Sequence, residues 1–199
     1  MILKSSQIGV SSDELSVRSL IFFIVELQNL LAYIGSQMLK YDETISVAES
    51  VTAGFLQFSF SQMKDASKFF MGGISVYSEE EKIRLLKVDM EDARKNDGVS
   101  ALIAETMALN VARIYKTDWS IGVTGYATPV ERSGKKLFAY FSITYKGKVI
   151  LSERLDLHSR TKAVNAQLYY SEFILGCFKL ELDKLKTLKS KAKKQLRSC

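Results

Sequence analysis

Histidine, proline and tryptophan each occur once in these 199 residues, and cysteine twice. Each scarcity closes off a class of function. A lone His158 cannot build a multi-histidine metal site, and a histidine-based triad is hard to assemble around it. Cys177 lies in an apolar run and Cys199 ends the chain, a pair with neither metal-ligand nor redox-motif spacing. Free thiols of this kind suit a reducing compartment, so a cytoplasmic location is expected. Long apolar runs are missing too. Leu20–Val25 is far shorter than a bilayer span, and no small-residue cleavage motif follows a basic start. Neither signal peptide, transmembrane helix nor membrane partner is expected.

A basic field over the body of the chain is also lacking. Formal charge is +6, yet Lys184, Lys186, Lys189, Lys191, Lys193, Lys194 and Arg197 crowd the last 18 residues against Asp183 alone. Removing those seven bases and one acid from totals of 28 and 22 leaves 21 of each. The tail over 183–199 reads as a solvated helical end. A nucleic-acid contact through it is an open but disfavoured reading, whose mark would be strongly salt-dependent affinity.

What is present is a 47% hydrophobic chain of one-domain size. Residues 1–19 lack periodicity and read as a flexible leader. Leu20, Ile24, Leu27, Leu31, Ile34 and Met38 recur at helical steps and predict an amphipathic helix over Ser19–Tyr41. Thr44–Ala48 predicts a strand, followed by a helix over Val51–Met63 whose aromatic content suggests burial on more than one side. Phe69–Tyr77 reads as a second strand interrupted by Gly72-Gly73, where a backbone can approach closely. Ser78-Glu79-Glu80-Glu81 forms a capping box and starts a helix to about Val88. A charged, irregular link covers Asp89–Asp97. Ser100 then caps a helix to Lys116 with an inner stripe of Leu102, Met107, Ala108, Val111 and Ile114. Trp119–Thr124 is a short apolar strand opening into Gly125-Tyr126-Ala127-Thr128-Pro129, the kind of position where open α/β sheets bind ligands. Leu137–Tyr145 and Val149–Leu157 predict an antiparallel hairpin, and Ser159–Leu182 a closing helix. The fold class expected is α/β: one layered domain over residues 20–182, with a mixed β-sheet flanked by helices.

Ser50 stands where a strand should yield to a helix, a place rich in unpaired backbone N–H groups. Ser50 or Thr52 could equally be a simple N-cap. Lys82 could be an exposed base paired with Glu79, and Tyr77 a core aromatic with a satisfied hydroxyl.

Three segments taken together resemble the CinA C-terminal domain family, the competence and damage-inducible proteins: Ala48-Glu49-Ser50, the stretch Gly72-Gly73 through Tyr77-Ser78 to Lys82, and Val123–Pro129. The likeness runs from about Leu27 to Leu182. Some members are nicotinamide-nucleotide amidases, so the resemblance implies deamidation of nicotinamide mononucleotide, or a related small amide, to the acid and ammonia. It implies Ser50 as nucleophile, Lys82 as base and Tyr77 as helper. It also implies a substrate site drawn from Thr52, Ala53, Gly73, Thr124, Gly125 and Arg160, with no metal and no cofactor, and a homodimer as a further partner state. The chemistry is self-consistent. A serine hydroxyl needs a base to take its proton, and a lysine can do so only if desolvation lowers its pKa from about 10.4. Amides at Thr52 and Ala53 would hold the oxyanion, and Arg160 would meet a phosphate or else lie on the surface. The chain departs from the family pattern at Val51 and Ala53, which replace a cysteine and a glycine. It departs again at Thr128–Gly134, which replaces a glycine-rich loop and brings in Glu131. A second reading keeps the fold and site without turnover, leaving a ligand-binding or protein-interaction domain.

Overall fold

In the computed structural model the backbone is described for residues 12–195 and side chains for 26–187. At its centre β1 (Ile45–Glu49) is buried along its whole length. It pairs in parallel with β2 (Phe70–Ser75) on one side and β3 (Trp119–Gly125) on the other. β3 continues antiparallel to β4 (Leu137–Tyr145), and β4 to β5 (Lys148–Leu157) through the turn at Lys146-Gly147, in the order β2-β1-β3-β4-β5. β2 and β3 lie on opposite sides of β1, so right-handed crossovers place their connecting helices on opposite faces. α2 (Phe55–Ser61) shares one face with α1 (Ser12–Tyr41) and α6 (Ala163–Gln195). α3 (Glu79–Leu86), α4 (Met90–Lys95) and α5 (Ala101–Tyr115) cover the other. This is the expected α/β class.

The larger core gathers Ile34, Met38, Val47, Phe60, Trp119, Phe141 and Phe178. Trp119 meets Phe178 edge-on and donates from Nε1 to the buried Glu43 at 2.8 Å, and Tyr145 donates to the same carboxylate at 2.7 Å. Opposite it, Ala48, Val76, Leu86, Ile103, Met107 and Val111 form a smaller core. Its seam is set by Gly122. A Cβ there would fall 2.3 Å from the Ala104 carbonyl oxygen, so the missing side chain lets α5 press directly on β3. That contact rotates α5 relative to the expected stripe. Ile103, Ala104, Met107, Ala108, Val111 and Ala112 face inward, while Leu102 and Ile114 are exposed.

Other boundaries differ for local reasons. α1 begins at Ser12, inside the expected leader; residues 1–11 lie outside the described residues. α2 begins only at Phe55, because Ala53 and Gly54 both take positive φ, and it buries Leu56, Ser59 and Phe60 but leaves Phe58 exposed. Half of the capping box forms: Ser78 Oγ accepts from the Glu81 amide, while the Glu81 carboxylate pairs with Arg84 instead of returning. The supposed irregular link contains α4, capped by Asp89 through the Asp92 amide at 2.8 Å. α6 starts after a turn closed by the Thr161 amide on the His158 carbonyl, and it runs on past Leu182. The first tail residues are therefore packed helix, with Asp183 accepting from Tyr33, Lys179 and Lys186. No helix among the described residues is long and apolar enough to cross a membrane.

Because the atoms facing Gly122 are backbone, Gly122→Ala should cost about 3 kcal/mol or more, the upper end for overpacked interiors. Urea unfolding checks this, and a loss below about 1 kcal/mol would show that α5 can retreat from β3 freely.

Candidate active site

The parallel strands β2, β1 and β3 all end at one edge of the sheet, and the chain leaves β1 and β3 in different directions there. Such a switch point leaves a crevice. A cavity of about 640 Å³ occupies it, walled by Ser50 and Val51 after β1, Tyr77 to Lys82 after β2, and Gly125 to Arg132 after β3, with Ala163 and Gln167 of α6 opposite.

Ser50 is held from both sides. Its amide extends the sheet to the Val123 carbonyl at 3.1 Å, and its carbonyl accepts from the Ala53 amide at 3.1 Å. Beneath it the Glu49 carboxylate, fully buried, accepts from Thr52 Oγ1 at 2.7 Å and from the amides of Gly54, Leu56 and Gln57 at 3.1, 3.0 and 2.8 Å. Glu49 thus takes the capping place that a serine or threonine was expected to fill. Neither Ser50 nor Thr52 caps α2.

Lys82 sits on the inward stripe of α3 beside Leu86, an apolar position by its spacing, and is only 3% exposed. The expected surface pair with Glu79 does not form. Its amine lies against the backbone of Gly98, where an added Cβ would come within 2.9 Å. Thr124 holds that backbone in place by donating to the Gly98 carbonyl at 2.7 Å. Among the described residues the Lys82 amine makes no hydrogen bond and no ion pair. Burial pushes its pKa below the usual lysine value, against a smaller upward pull from Glu79 and Asp97. Ser50 and Lys82 line the same cavity, and their side chains make no hydrogen bond to each other.

A second group of side chains braces the far wall. Asp97 accepts from Tyr126 at 3.0 Å and from Arg132 at 2.9 Å, and Tyr170 of α6 donates to the Tyr126 carbonyl at 3.0 Å. Burial, helped by the Asp97 hydrogen bond, pushes the Tyr126 hydroxyl up to about 12.

Of the residues singled out from the sequence, Ser50, Lys82, Tyr77 and Gly125 line the cavity. Tyr77 stands at its rim, 81% exposed, and is not a core aromatic. The others lie off it. Thr52 is turned into Glu49, and the exposed Ala53 has its amide engaged by Ser50. Gly73 faces Val47 and Gln57, where a Cβ would clash, and so serves strand packing. Thr124 is the clamp on Gly98. Arg160 is exposed, its amide bonded to His158 Nδ1, and the cationic side chain on the wall is Arg132 instead. Asp97, Tyr126 and Arg132 were missed as a set, since the Asp97–Arg132 pair spans 35 residues and no local motif joins them. The rule that loops at strand carboxyl ends form the site reaches Tyr126 and Arg132 after β3, but not Asp97, which lies between α4 and α5. No cluster among the described residues has the makings of a metal site. A groove of about 530 Å³ between α1 and α6, lined by Leu27, Leu30, Tyr33, Glu172 and Lys179, is mainly apolar and brings no nucleophile to a base.

The family model described as CinA C-terminal domain matches residues 27–171. A CinA-like protein from Trichodesmium erythraeum is 33% identical over 122 residues, 61% of this chain and 29% of that protein. One from Prochlorococcus marinus is 43% identical over 90 residues, 45% of this chain and 21% of that protein. The matched stretch thus spans under a third of those relatives' length. Among solved structures, the competence or damage-inducible protein from Enterobacter asburiae aligns with a TM-score of 0.72 at 22% identity, covering 78% of this chain and 98% of that one. A competence/damage-inducible protein from Agrobacterium tumefaciens aligns at 0.72 and 21%, covering 79% and 95%. At such identities the likeness is one of fold.

Two stability measurements follow from the buried ionisable groups. Glu49→Ala leaves three amides and a hydroxyl without their acceptor and should cost about 3 kcal/mol or more, with Glu49→Gln intermediate; equal urea midpoints for wild type and Glu49→Ala would contradict the geometry. For Lys82 the folded pKa lies below the unfolded value of about 10.4, so between the two the unfolded chain binds more protons and stability rises with pH. Lys82→Met should accordingly be more stable than wild type at pH 7, by a margin that shrinks as pH approaches about 10.4. A margin independent of pH would mean that the amine is not desolvated.

Proposed function

The chain belongs to the CinA C-terminal domain family, and from that premise we propose that it is an amidohydrolase releasing ammonia from nicotinamide mononucleotide or a related small carboxamide. Ser50 is the nucleophile and Lys82 the base. The observation that carries this reading is a buried lysine amine without a partner, opening on the same cavity as a serine hydroxyl that is held on a rigid turn. A structural lysine is ordinarily exposed or paired. One that is desolvated and left unpaired has its pKa lowered by burial, the direction that a lysine acting as a base needs.

In the proposed reaction Ser50 Oγ attacks the carboxamide carbon as its proton passes to the neutral Lys82 amine. The resulting ammonium then gives that proton to the departing nitrogen, and ammonia leaves. Water, deprotonated by the same amine, attacks the serine ester, and the ammonium so formed returns that proton to the departing Ser50 Oγ, which frees the acid and restores both groups. Ala53 cannot serve the oxyanion, its amide being engaged. The Val51 amide is better suited: it follows the nucleophile, belongs to the cavity wall and makes no hydrogen bond among the described residues. Tyr77, exposed at the rim, is cast as an orienting or relaying group. The open Ser50–Lys82 arrangement, with both on one cavity and no hydrogen bond between them, fits an unliganded site whose hydrogen bonds tighten on substrate.

The same open arrangement supports a second reading, a ligand-binding domain without turnover. The two separate cleanly, since stabilisation by ligand in a thermal-shift series with no ammonia released would favour the binder.

Purified protein should release ammonia from a nicotinamide-type carboxamide, with Ser50→Ala and Lys82→Ala each lowering the rate by at least about a hundredfold. The rate should climb with pH as the Lys82 amine loses its proton, below the usual lysine range. Wild-type release no greater than that of either variant would end the amidase proposal.

A further inference from the structure

Charge on the cavity walls is unevenly divided. Glu79, Glu80, Asp97 and Glu131 face two cations, Lys82 and Arg132. Neither cation gives the wall a net positive charge. Arg132 is committed to Asp97 at 2.9 Å, and Lys82 acts as a base only while neutral. Glu131 has Lys135 at 3.2 Å, but both side chains are mostly exposed, where such a pair neutralises little. Glu79 and Glu80 form no ion pair among the described residues. Hydrogen bonds to its own backbone and to Ser78 hold the Glu80 carboxyl below the ordinary range, so it stays ionised.

Apart from the Val51 amide, which the reacting carbonyl oxygen takes, the backbone offers an anion little more. The helix starts bordering the site are no more receptive: Glu49 accepts from the α2 amides, and at α3 Ser78 Oγ takes the Glu81 amide while Glu79, Glu80 and Glu81 crowd the first turn with negative charge. In the loop after β3, the Tyr126 amide is bonded to the Phe138 carbonyl, Pro129 has no N–H and the Val130 amide is bonded to Ser133 Oγ, so among the described residues the free amides there run no more than two in succession, short of the row that cradles a phosphate. At the rim, the exposed ring of Tyr77 offers a face to a cation. The unpartnered amine of Lys82, on a side chain that is otherwise buried, marks where the reacting amide belongs.

We propose that this site selects a positively charged, phosphate-free carboxamide, of the kind in which a pyridinium ring carries both the charge and the amide, and discriminates against its phosphorylated form. The inference rests on the amidase reading for the identity of the reacting group, but on wall charge alone for the selection.

Nicotinamide mononucleotide and its phosphate-free riboside share the pyridinium carboxamide and differ only by the phosphate, so they are the probes. In calorimetry with Ser50→Ala protein, which holds the ligand without consuming it, the riboside should bind about tenfold or more tightly than the mononucleotide. The ratio should fall toward unity in Glu80→Lys/Glu131→Lys protein and at high salt. Neutral nicotinamide should bind more weakly than the riboside. Equal or tighter binding of the mononucleotide, or no binding of the riboside at millimolar concentration, overturns the inference. Ammonia release by wild-type protein, measured on the same pair, reports separately on the reaction. A riboside preference in binding with no ammonia from either compound removes the amidase reading and leaves the charge selection standing. Ammonia released at least as well from the mononucleotide does the reverse.

Discussion

The carboxylate of Glu49 sits at the end of the central strand and ties down the next eight residues. Fully buried, it would be costly to ionise without partners, and it has four. Those bonds force the chain through a turn before α2 can start, which explains the positive φ angles of Ala53 and Gly54 and the short helix that follows. The same turn leaves Ser50 on the cavity wall with its backbone fixed to β3 and to Ala53. It also consumes the amides that would otherwise make the start of α2 an anion site. The proposed nucleophile position and the proposed rejection of an anion would thus share one cause.

Lys82 is the counterpart. Both groups are buried, but Glu49 is fully satisfied and Lys82 is not. Satisfied burial stabilises; unsatisfied burial costs stability and is tolerated where chemistry needs a displaced pKa. The surroundings show how the amine is kept there. It occupies an apolar position of α3, Gly98 has no side chain to exclude it, and Thr124 anchors the Gly98 backbone from β3. Thr124 matters to the site without touching the cavity.

Much of the scaffold was legible from residue pattern. The β-branched runs located the five strands to within a few residues, and the Lys146-Gly147-Lys148 connection marked the hairpin. Capping by Ser100 on the Ile103 amide was readable because it is local. The misreadings share a property. The orientation of α5 depended on how closely Gly122 lets a helix approach a strand, and the extent of α6 on a contact between Asp183 and Tyr33 that is 150 residues apart in sequence. Window-based patterns carry no term for either.

The site divides along the same line. Residue order by itself determined an α/β chain with a serine just past the first strand and a lysine one turn into a later helix, because strand, helix and cap preferences are local. Only the tertiary structure decided that the lysine is buried and unpaired, that Arg132 and not Arg160 reaches the wall, and that Asp97 neutralises it. Burial and charge pairing are sums over neighbours distant in sequence, and they take their values only once the strands have been placed side by side.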